Sequence, residues 1–558
     1  MPEMHAASAE QHTMHAGLFG GNILTHRDRI GDDGTYDELA EELGITGIRY
    51  PGGAVTEFYF DISDPDRASG VHPHTGEEHT LIPYSSFLSW AADTNMPVTV
   101  VIPTREFLSE DTDENGDRFP EFDEALLRGF IRDTVTGAYG DAEIEGFEIG
   151  NEYWGSGEMS SVEYGRLSSE MAAIIDDELD SLGQGEISII TQVGASHGFA
   201  DLSLDYDHLG TGEEQLQAVA LDYGLLLNSE DHLYNGGGVN WTKIANELVM
   251  KEFDTPEERD ALDAIAAHVY SKAPVFPGSR HFVLNSIEQT WLQDHPDLEI
   301  FVTEWNQKAH TDAFDAEEDY GLKQAAEMLY IVDEMSDRGV DIAHVWPLQQ
   351  SAKSALSYGH DFEELSPAGE MFKMMRENLP GKQQIDLATD GSDGEPSADV
   401  LSFYGDNELV VYVMSRSEGT TMEDLGMNAI IADYDHLEIT RLGVEAGQSP
   451  GSTQSNAEID ILDPSEYYVD GTIQADLDGF EIMQLVFSDV VLTPEVEALI
   501  EGGVDDPEPI LPPIDPVEPE EPEEPDEPGA EADAEGAGLA VEAIFAAAIV
   551  PLFLLLVA

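Results

Sequence analysis

The chain has 558 residues, and 115 acidic against 23 basic side chains give it a formal net charge of −92. Such a charge repels phosphate backbones and anionic lipid, which excludes a nucleic-acid binder and adhesion through a basic patch. The chain has no cysteine, which excludes disulfide scaffolds, thiolate metal sites and cysteine nucleophiles. Extreme acidity without cysteine favours a protein exported into salty or calcium-rich surroundings, with a salt-adapted cytosol or a chance absence of cysteine as the alternatives.

The N-terminal segment, residues 1–17, has neither Lys nor Arg and no apolar run, so it does not resemble a secretory signal peptide. From residue 13 to 385, short apolar runs alternate with amphipathic helical stretches. The runs predict strands at 16–24, 44–50, 97–103, 144–150, 187–194, 262–270, 299–305 and 341–348. This alternation predicts an α/β fold, a (β/α)8 TIM barrel with its longest insertion at 196–249. A doubly wound sheet is the alternative, although no G-x-G-x-x-G opens a helix.

Residues 396–489 have a different pattern, with alternating strands separated by turn residues and no long helix. They predict an all-β, sandwich-like accessory module. All six tryptophans precede this module, so aromatic sugar platforms are expected in the barrel.

The C-terminal part of the chain has two segments of contrasting composition. Residues 502–536 are rich in Pro, Glu and Asp and predict an extended linker. Residues 537–558 are almost wholly apolar, and three interpretations stay open: an uncleaved export signal resembling those of type I secretion substrates, a membrane anchor, or a helix docked on the body. The first two imply export machinery or a membrane as a partner, and an extracellular or cell-surface location.

Carboxylates stand at the ends of two predicted barrel strands, where barrel enzymes carry their active residues. The fourth strand ends FEIGNEYWG, which places Asn151 and Glu152 at the barrel mouth, and the seventh ends FVTEWN, which places Glu304 there. Two such carboxylates can divide glycoside cleavage between a proton donor and a nucleophile. The alternative is that each Glu is a solvated strand end.

The same motifs resemble those of clan A glycoside hydrolases. GNEYWG is similar to the clan's Asn-Glu motif, and TEWN is similar to its nucleophile strand. IRYPGG (48–53) resembles the second-strand motif of family 51 α-L-arabinofuranosidases, whereas HVY (268–270) and VWPLQQ (345–350) resemble the sixth and eighth strands. SPAGEMFKMM resembles the closing helix, and a β-sandwich after the barrel is usual in this group.

The resemblance implies a retaining mechanism through a glycosyl-enzyme intermediate, with a carbohydrate substrate of plant or algal type and no required cofactor. Glu152 would be the general acid and then base, Glu304 the nucleophile, and Asn151 a ligand of the sugar 2-hydroxyl. Arg49 and Tyr270 would contact the nucleophile. The resemblance also implies substrate-binding or supporting roles for His268, Trp305, Trp346 and Gln349.

Two departures from family 51 leave the sugar open. Ala54 stands where the family has Asn, and Thr25 where it has Glu, so xylosidase, glucuronidase-like and endo-acting activities remain alternatives. His26, Arg27 and Arg105 could bind an acidic sugar or offset local Asp residues. A hypothesis from another class is a non-catalytic carbohydrate-binding surface protein on a barrel scaffold.

Two polar segments are candidate metal sites. DTDENGD (111–117) resembles the start of a calcium loop, with possible ligands at Asp111, Asp113, Asn115 and Asp117. Phe122 stands where such a loop needs its bidentate Glu, and an acidic solvated loop is the alternative. HPHTGEEH (72–79) clusters three histidines that could bind a metal or could be ordinary loop residues.

Overall fold

Eight parallel strands close into a barrel in the computed structural model of the protein. The structure describes residues 4–9, 12–31, 34–272, 278–309, 311–389 and 397–502. The barrel strands are β1 (Gly20–Asn22), β2 (Ile48–Tyr50), β3 (Val98–Ile102), β4 (Ile144–Ile149), β5 (Ser188–Gln192), β6 (Ala264–Ser271), β7 (Glu299–Gln307) and β8 (Ile342–Val345). β8 closes the barrel on β1, with His344 opposite Gly20. The predicted (β/α)8 barrel is confirmed.

Helices follow the strands and form the outer wall of the barrel. The wall helices are Tyr36–Leu43, Tyr84–Thr94, Glu124–Val135, Ser161–Leu182, Trp241–Glu252, Gly278–Gln289, Leu322–Asp337 and Pro367–Asn378. The longest of them begins at a capping box, in which the Ser160 side chain accepts from the Glu163 amide and the Glu163 side chain accepts from the Ser160 amide. It ends at Gly183, whose φ of 70° is a left-handed cap that suits glycine.

The first strand is shorter than the sequence predicts. Of the predicted run 16–24, Ala16–Phe19 is a 3-10 turn and only Gly20–Asn22 is a strand. The turn is stabilised by the His15 Nδ1 atom, which accepts from the Gly17 amide at 3.1 Å.

Insertions at the barrel mouth add two hairpins and a small helical layer. The hairpins pair Ser69–Val71 with Glu78–Thr80 and Leu108–Thr112 with Arg118–Pro120, and a short parallel pair joins Gln349–Gln350 to Ser357–Tyr358. The insertion after β5 contains the helices Ser203–Tyr206, Gly212–Tyr223 and Ser229–His232 and a 3-10 turn at Gly198–Ala200. Its apolar side chains form a separate cluster with Leu248 of the next wall helix. Further short helices are Val55–Tyr59, Pro256–Asp260 and Trp291–Asp294.

An antiparallel β module packs on one side of the barrel. Its large sheet has the strand order Met4–Ala9, Gln383–Thr389, Ala398–Gly405, Glu408–Ser415, Ile482–Ser488, His436–Val444 and Ala457–Leu462. The other layer contains Thr421–Gly426, Thr472–Leu477 and Tyr468–Val469, with the pair Ile431–Asp433 and Val491–Leu492 and the helix Pro464–Tyr467. Phe403 and Tyr412 join the barrel core from the large sheet. The predicted all-β module after a barrel is confirmed as a fold.

The β module extends beyond the predicted range 396–489. Met4–Ala9 pairs with Gln383–Thr389 at the edge of the large sheet. At the other end, the helix Pro494–Gly502 adds Val496, which is buried, to the core of the module. Pairing between strands so distant in sequence leaves no local pattern from which the boundary could be read.

Apart from Gly502, which ends a helix, the predicted linker 502–536 and the apolar segment 537–558 lie outside the described residues. In the part of the chain that the structure covers, no helix is both long enough and apolar enough to cross a membrane. The export-signal, anchor and docked-helix interpretations of the C-terminal segment therefore stay predictions.

Candidate active site

The two predicted catalytic carboxylates meet at the barrel mouth. Glu152 lies three residues beyond the end of β4 and has a positive φ of 42°, an uncommon conformation for a residue with a side chain. Glu304 lies in β7 and is buried. His268, from β6, stands between them, with its Nδ1 atom 3.1 Å from Glu152 Oε1 and 3.5 Å from Glu304 Oε2. One ligand atom from each of the three lies within 4.8 Å of the other two.

Arg49, at the centre of the barrel, donates to four side chains that lie in β1, β4 and β7 or directly after β4. Its Nη1 atom donates to Glu304 Oε1 at 2.9 Å and its Nη2 atom to Asn151 Oδ1 at 2.9 Å. The Nη1 atom also donates to Asn22 Oδ1 at 3.3 Å. Burial opposes the charge, but Glu148 and Glu304 together keep the pKa of the Arg49 guanidinium above its ordinary value. The side chain is therefore a fixed cation against the Glu304 carboxylate.

Glu148 is the buried counter-ion of Arg49, and sequence reasoning missed it. Its carboxylate accepts from Arg49 Nε at 2.6 Å and Nη2 at 3.0 Å, and both side chains are fully buried. Gln192 and Thr303 donate to Glu148 Oε1 at 3.1 and 3.2 Å. The signal was present in the sequence: in FEIGNE, the side chain at 148 points to the opposite face of β4 from its apolar neighbours, hence into the barrel.

Tyr270 and Asn151 complete the surroundings of the pair. Tyr270 Oη donates to Glu304 Oε2 at 2.8 Å, so both oxygens of Glu304 accept a hydrogen bond from the protein. Asn151 Oδ1 faces Arg49, while its Nδ2 atom donates to Ser156 Oγ at 3.2 Å. The structure thus brings Arg49 and Tyr270 to Glu304 in the arrangement that the resemblance implies.

His268 carries charge more readily than an ordinary histidine at this depth. Burial lowers its pKa, but Glu304 and then Glu152 outweigh burial, so the pKa of the imidazole is raised. Its Nε2 atom is buried without a partner among the described residues. The imidazolium can therefore hold the two carboxylates together across the mouth.

A second buried carboxylate, Glu57, fixes the loops that carry the site. It accepts from the backbone amides of Thr104, Arg105 and Asn151, each at 2.8 Å. Burial raises the pKa of Glu57 despite these donors. Little in the sequence indicates this role, because Glu57 lies in the short helix Val55–Tyr59 rather than at a strand end.

Trp305, for which the resemblance implies a substrate-binding or supporting role, packs in the barrel wall and does not reach the mouth. It is fully buried and stacks on Phe372 of the closing helix, with ring centroids 6.1 Å apart. Side chains alternate along a strand, so the residue after the inward-facing Glu304 must face the outer wall. Trp305 is a core residue of the barrel.

The two candidate residues that follow the eighth strand, Trp346 and Gln349, have different surroundings. The indole of Trp346 packs over Gly53, where a Cβ atom would lie 2.7 Å from the ring. This contact, with a φ of 57°, explains why the Pro-Gly-Gly motif needs glycine at its last position. Gln349 is buried and its Nε2 atom donates to Thr35 Oγ1 at 3.0 Å, so its amide is engaged within the protein.

The basic side chains near the first and third strands form hydrogen bonds or ion pairs with other groups of the protein. Burial, followed by the charge of Arg27, lowers the pKa of His26 to about 3, so this imidazole is neutral. Arg27 donates to His26 Nε2 at 3.0 Å and to Gln350 Oε1 at 3.1 Å. Arg105 donates to the Glu57 carbonyl at 3.4 Å and pairs with Glu106.

The predicted calcium ligands lie in the turn of the hairpin Leu108–Thr112 and Arg118–Pro120. Asp113 Oδ1 accepts from the amides of Asn115, Gly116 and Asp117, and Asp113 Oδ2 faces Arg166 Nη2 at 2.5 Å. Against the effect of burial, Arg166 and these amides lower the pKa of Asp113. Asp111 is exposed. Calcium binding by Asp111, Asp113, Asn115 and Asp117 stays a prediction, which the change in Tm on chelation would test.

The three loop histidines do not converge on one point. His72 accepts from the His74 amide at 3.1 Å, whereas the His74 ring pairs with Glu158 at 2.5 Å. His79 packs edge-on against Tyr59. Among the described residues, the only group of three or more His, Cys, Asp or Glu side chains close enough to share a metal ion is Glu152, His268 and Glu304.

No model of a protein family matches the sequence, and no curated protein matches it. Solved structures do match the fold. The α-L-arabinofuranosidase of Thermotoga maritima, solved with arabinose, has a TM-score of 0.58 at 13% identity, covering 88% of this chain and 100% of that one. The GH51 arabinofuranosidase of Xanthomonas axonopodis pv. citri has a TM-score of 0.54 at 12% identity, covering 88% and 100%. A bifunctional glucanase-xylanase from a metagenome library has a TM-score of 0.53 at 12% identity, covering 87% and 99%.

At these identities the comparisons show a shared fold. The barrel with its β module is shared with these arabinofuranosidases and with the glucanase-xylanase, so the fold that the motif resemblance implies is confirmed. Because one fold supports many activities, the reaction has to be argued from the site itself.

Proposed function

We propose that the protein is a retaining glycoside hydrolase that works through a covalent glycosyl-enzyme intermediate. The observation that carries the proposal is the spacing of the carboxylates: an oxygen of Glu152 lies within 4.8 Å of an oxygen of Glu304. Retaining enzymes hold their two carboxyl groups about 5–5.5 Å apart, whereas inverting enzymes need roughly 6.5–9.5 Å to admit a water. The spacing favours retention.

The surroundings of the two carboxylates differ in a way that assigns their roles. Glu304 is 6% exposed and accepts from the Arg49 cation and the Tyr270 hydroxyl, which favour a carboxylate that can attack the anomeric carbon. Glu152 is 30% exposed and faces the opening of the barrel. It can donate a proton to the leaving oxygen and later deprotonate the water that hydrolyses the intermediate.

The residues around Glu152 and Glu304 limit the class of substrate sugar but do not identify the sugar. Ala54 and Thr25 replace the two polar contacts of family 51, so we do not assign arabinose. His26 is neutral, and Arg27 and Arg105 are engaged with protein acceptors, which argues against an acidic sugar at this wall. A neutral pentose or hexose is the substrate class that these contacts favour.

The test is hydrolysis of a panel of aryl glycosides by the parent protein and by Glu304→Gln. We expect the variant to lose several orders of magnitude in kcat with its Tm retained. The matched control is Glu299→Gln, at the opposite end of the same strand, where the side chain accepts from Ser188 at 3.0 Å. Proton NMR of the first product should show the anomeric configuration of the substrate. Equal rates for Glu304→Gln and the parent would refute the assignment.

The same panel separates hydrolysis from binding alone. A carbohydrate-binding protein on a barrel scaffold would bind oligosaccharides and leave every glycoside intact. Glu152→Ala supplies a further criterion, because it should slow substrates with poor leaving groups far more than activated aryl glycosides, which need no proton. A uniform loss would contradict the role of Glu152 as acid.

We also propose that the acidic linker and the apolar segment 537–558 set the location of the enzyme. The support is composition: a stretch rich in Pro, Glu and Asp followed by an almost wholly apolar segment. Removing both in the native host should retain the enzyme inside the cell if the segment is an export signal. It should release enzyme from the membrane fraction if the segment is an anchor.

A further inference from the structure

A small cavity opens next to the loop that follows the candidate acid, with Glu158 and Ser160 of that loop in its wall. It lies between the hairpin Leu108–Thr112 and Arg118–Pro120 and the insertion that follows β5, and its volume is about 260 Å³. Pockets for drug-sized ligands measure roughly 300–1,000 Å³, so this one suits a single sugar ring. Nothing in the proposed reaction at Glu152 and Glu304 uses it.

Short backbone hydrogen bonds connect the wall of the cavity to the loop that carries Glu152. The carbonyl of Glu152 accepts from the Gly155 amide at 2.7 Å, and the carbonyl of the adjacent Trp154 accepts from the Phe199 amide at 2.7 Å. Phe199 and Glu158, on the two loops joined in this way, both line the cavity. Because the acid of a glycosidase faces the leaving group, a cavity beside it lies on the leaving-group side of the scissile bond.

A buried carboxylate oxygen in the cavity wall lacks a donor. Asp117 is 6% exposed, and its Oδ1 atom accepts from Ser160 Oγ at 2.5 Å. Its Oδ2 atom is buried and, within the part of the chain that the structure describes, has no hydrogen-bond partner. An unpaired buried acceptor destabilises the fold, and a ligand hydroxyl that donated to it would satisfy it.

The rest of the wall combines aromatic rings with negative charge. Phe199 is 60% exposed, and Tyr223 also lines the cavity. Five carboxylates line it, while its one cation, Arg118, is bound at both Nε and Nη2 by one of them, Glu163. Such a wall favours a neutral ligand with many hydroxyl donors and repels a uronic acid.

We propose that this cavity is a leaving-group-side subsite that binds one neutral sugar unit of the substrate, with Phe199 as its platform and Asp117 as a hydroxyl acceptor. The proposal rests on the proposed hydrolase function. A metal ion is the less favoured occupant, because among the described residues no three carboxylates of this cavity converge to ligand distance.

The experiment compares Phe199→Ala with the parent on two substrates that carry the same glycone. One is an aryl glycoside that the parent hydrolyses, and the other is an oligosaccharide with a neutral sugar as leaving group. The variant should lose about tenfold in kcat/KM on the oligosaccharide, as for the loss of one contact worth about 1.4 kcal/mol, and less than twofold on the aryl glycoside. The control is Leu226→Ala, a 98% exposed residue of the same insertion that is not among the lining residues, which should change neither.

Asp117→Asn provides a second variant, with the same selective loss expected and with Tm measured to show that the hairpin is intact. Equal losses on both substrates, or no loss on the oligosaccharide, would overturn the subsite. So would a Tm that rises with added calcium in the parent and not in Asp117→Asn, since that would place an ion in the cavity. If the parent hydrolyses no glycoside, the proposed function fails by itself. Calorimetric binding of the neutral oligosaccharide to the parent and to Phe199→Ala then decides the subsite, and equal affinities would reject it.

Discussion

Replacing Glu148 by Gln should weaken both the fold and the reaction, because this residue offsets the charge of Arg49. The substitution keeps the shape of the side chain but removes the anion from a fully buried pair whose hydrogen bonds measure 2.6 and 3.0 Å. Breaking a buried ion pair on one side costs about 3–5 kcal/mol. One oxygen acceptor remains and Glu304 still faces Arg49, so we expect the lower end, about 3 kcal/mol. At about 2.1 cal/mol/K of unfolding entropy per residue, a barrel of about 370 residues should show a fall in Tm of roughly 4 °C.

The effect on catalysis follows from the same geometry. Without Glu148, Arg49 loses the partner that sets its orientation, and its hydrogen bond to Glu304, now 2.9 Å, is no longer held in place. A hydrogen bond to a charged group contributes about 1.5–3 kcal/mol, so kcat/KM should fall roughly 10- to 100-fold. The assay is initial rates on an aryl glycoside that the parent hydrolyses, with Tm from circular dichroism.

Glu145→Gln, on the same strand, is the matched control, for which we expect Tm at pH 8 to stay equal or to rise rather than to fall. Burial raises the pKa of Glu145 to about 7, so in the folded protein the carboxyl resists ionisation between its ordinary value of 4.5 and that pH. Ionisation therefore lowers stability as the pH rises through this window, and at pH 8 the neutral amide should leave Tm equal or higher. If Glu148→Gln matches the parent in Tm and in kcat/KM, Glu148 is not the counter-ion inferred here.

Three further predictions follow from single contacts. Tyr270→Phe removes the 2.8 Å donor to Glu304 and should lower kcat about 10- to 100-fold with Tm nearly unchanged; a parental kcat would exclude the contact from catalysis. Burial and then Arg49 lower the pKa of His344 to about 3, so the folded protein should lose stability as the pH drops from about 6.5 towards 3. In a series of Tm measurements against pH, His344→Gln should reduce this loss, whereas the exposed control His436→Gln should not. Ending the chain after Gly502 should preserve Tm and activity, whereas ending it at Thr493 removes the buried Val496 and should lower Tm by several degrees; equal Tm values would show that the last helix adds nothing to the module.

The strand-end carboxylates could be predicted from sequence because two regularities coincide there. The apolar runs of β4 and β7 mark where each strand ends, and a parallel barrel gathers those ends at one face. Glu152 and Glu304 are therefore predicted to lie at the same face of the barrel, whatever the conformation of the loops. Arg49 and Tyr270 were reached only through the resemblance of their motifs, since nothing in their local pattern points to Glu304.

The failures have a different cause in each place. The resemblance leaves open whether Trp305 binds substrate or supports the site, and only the alternation of side chains along β7 separates it from the inward-facing Glu304. Glu148 lies inside β4, so the strand-end rule that identifies Glu152 and Glu304 does not reach it. The edge strand Met4–Ala9 could not be predicted, because its partner Gln383–Thr389 lies at the other end of the barrel sequence.

The overlooked Glu148 shows how the site is built. Glu148, Arg49, Glu304, His268 and Glu152 form a row in which acidic and basic side chains alternate, joined by contacts of 2.6 to 3.5 Å. The row begins at the fully buried Glu148 and ends at Glu152, its most exposed member. A buried charge is stable only when it is paired, so each inner member fixes the position of the next one outward. The carboxylate spacing at the mouth is therefore set by residues in β2, β4 and β6 that need not touch the sugar.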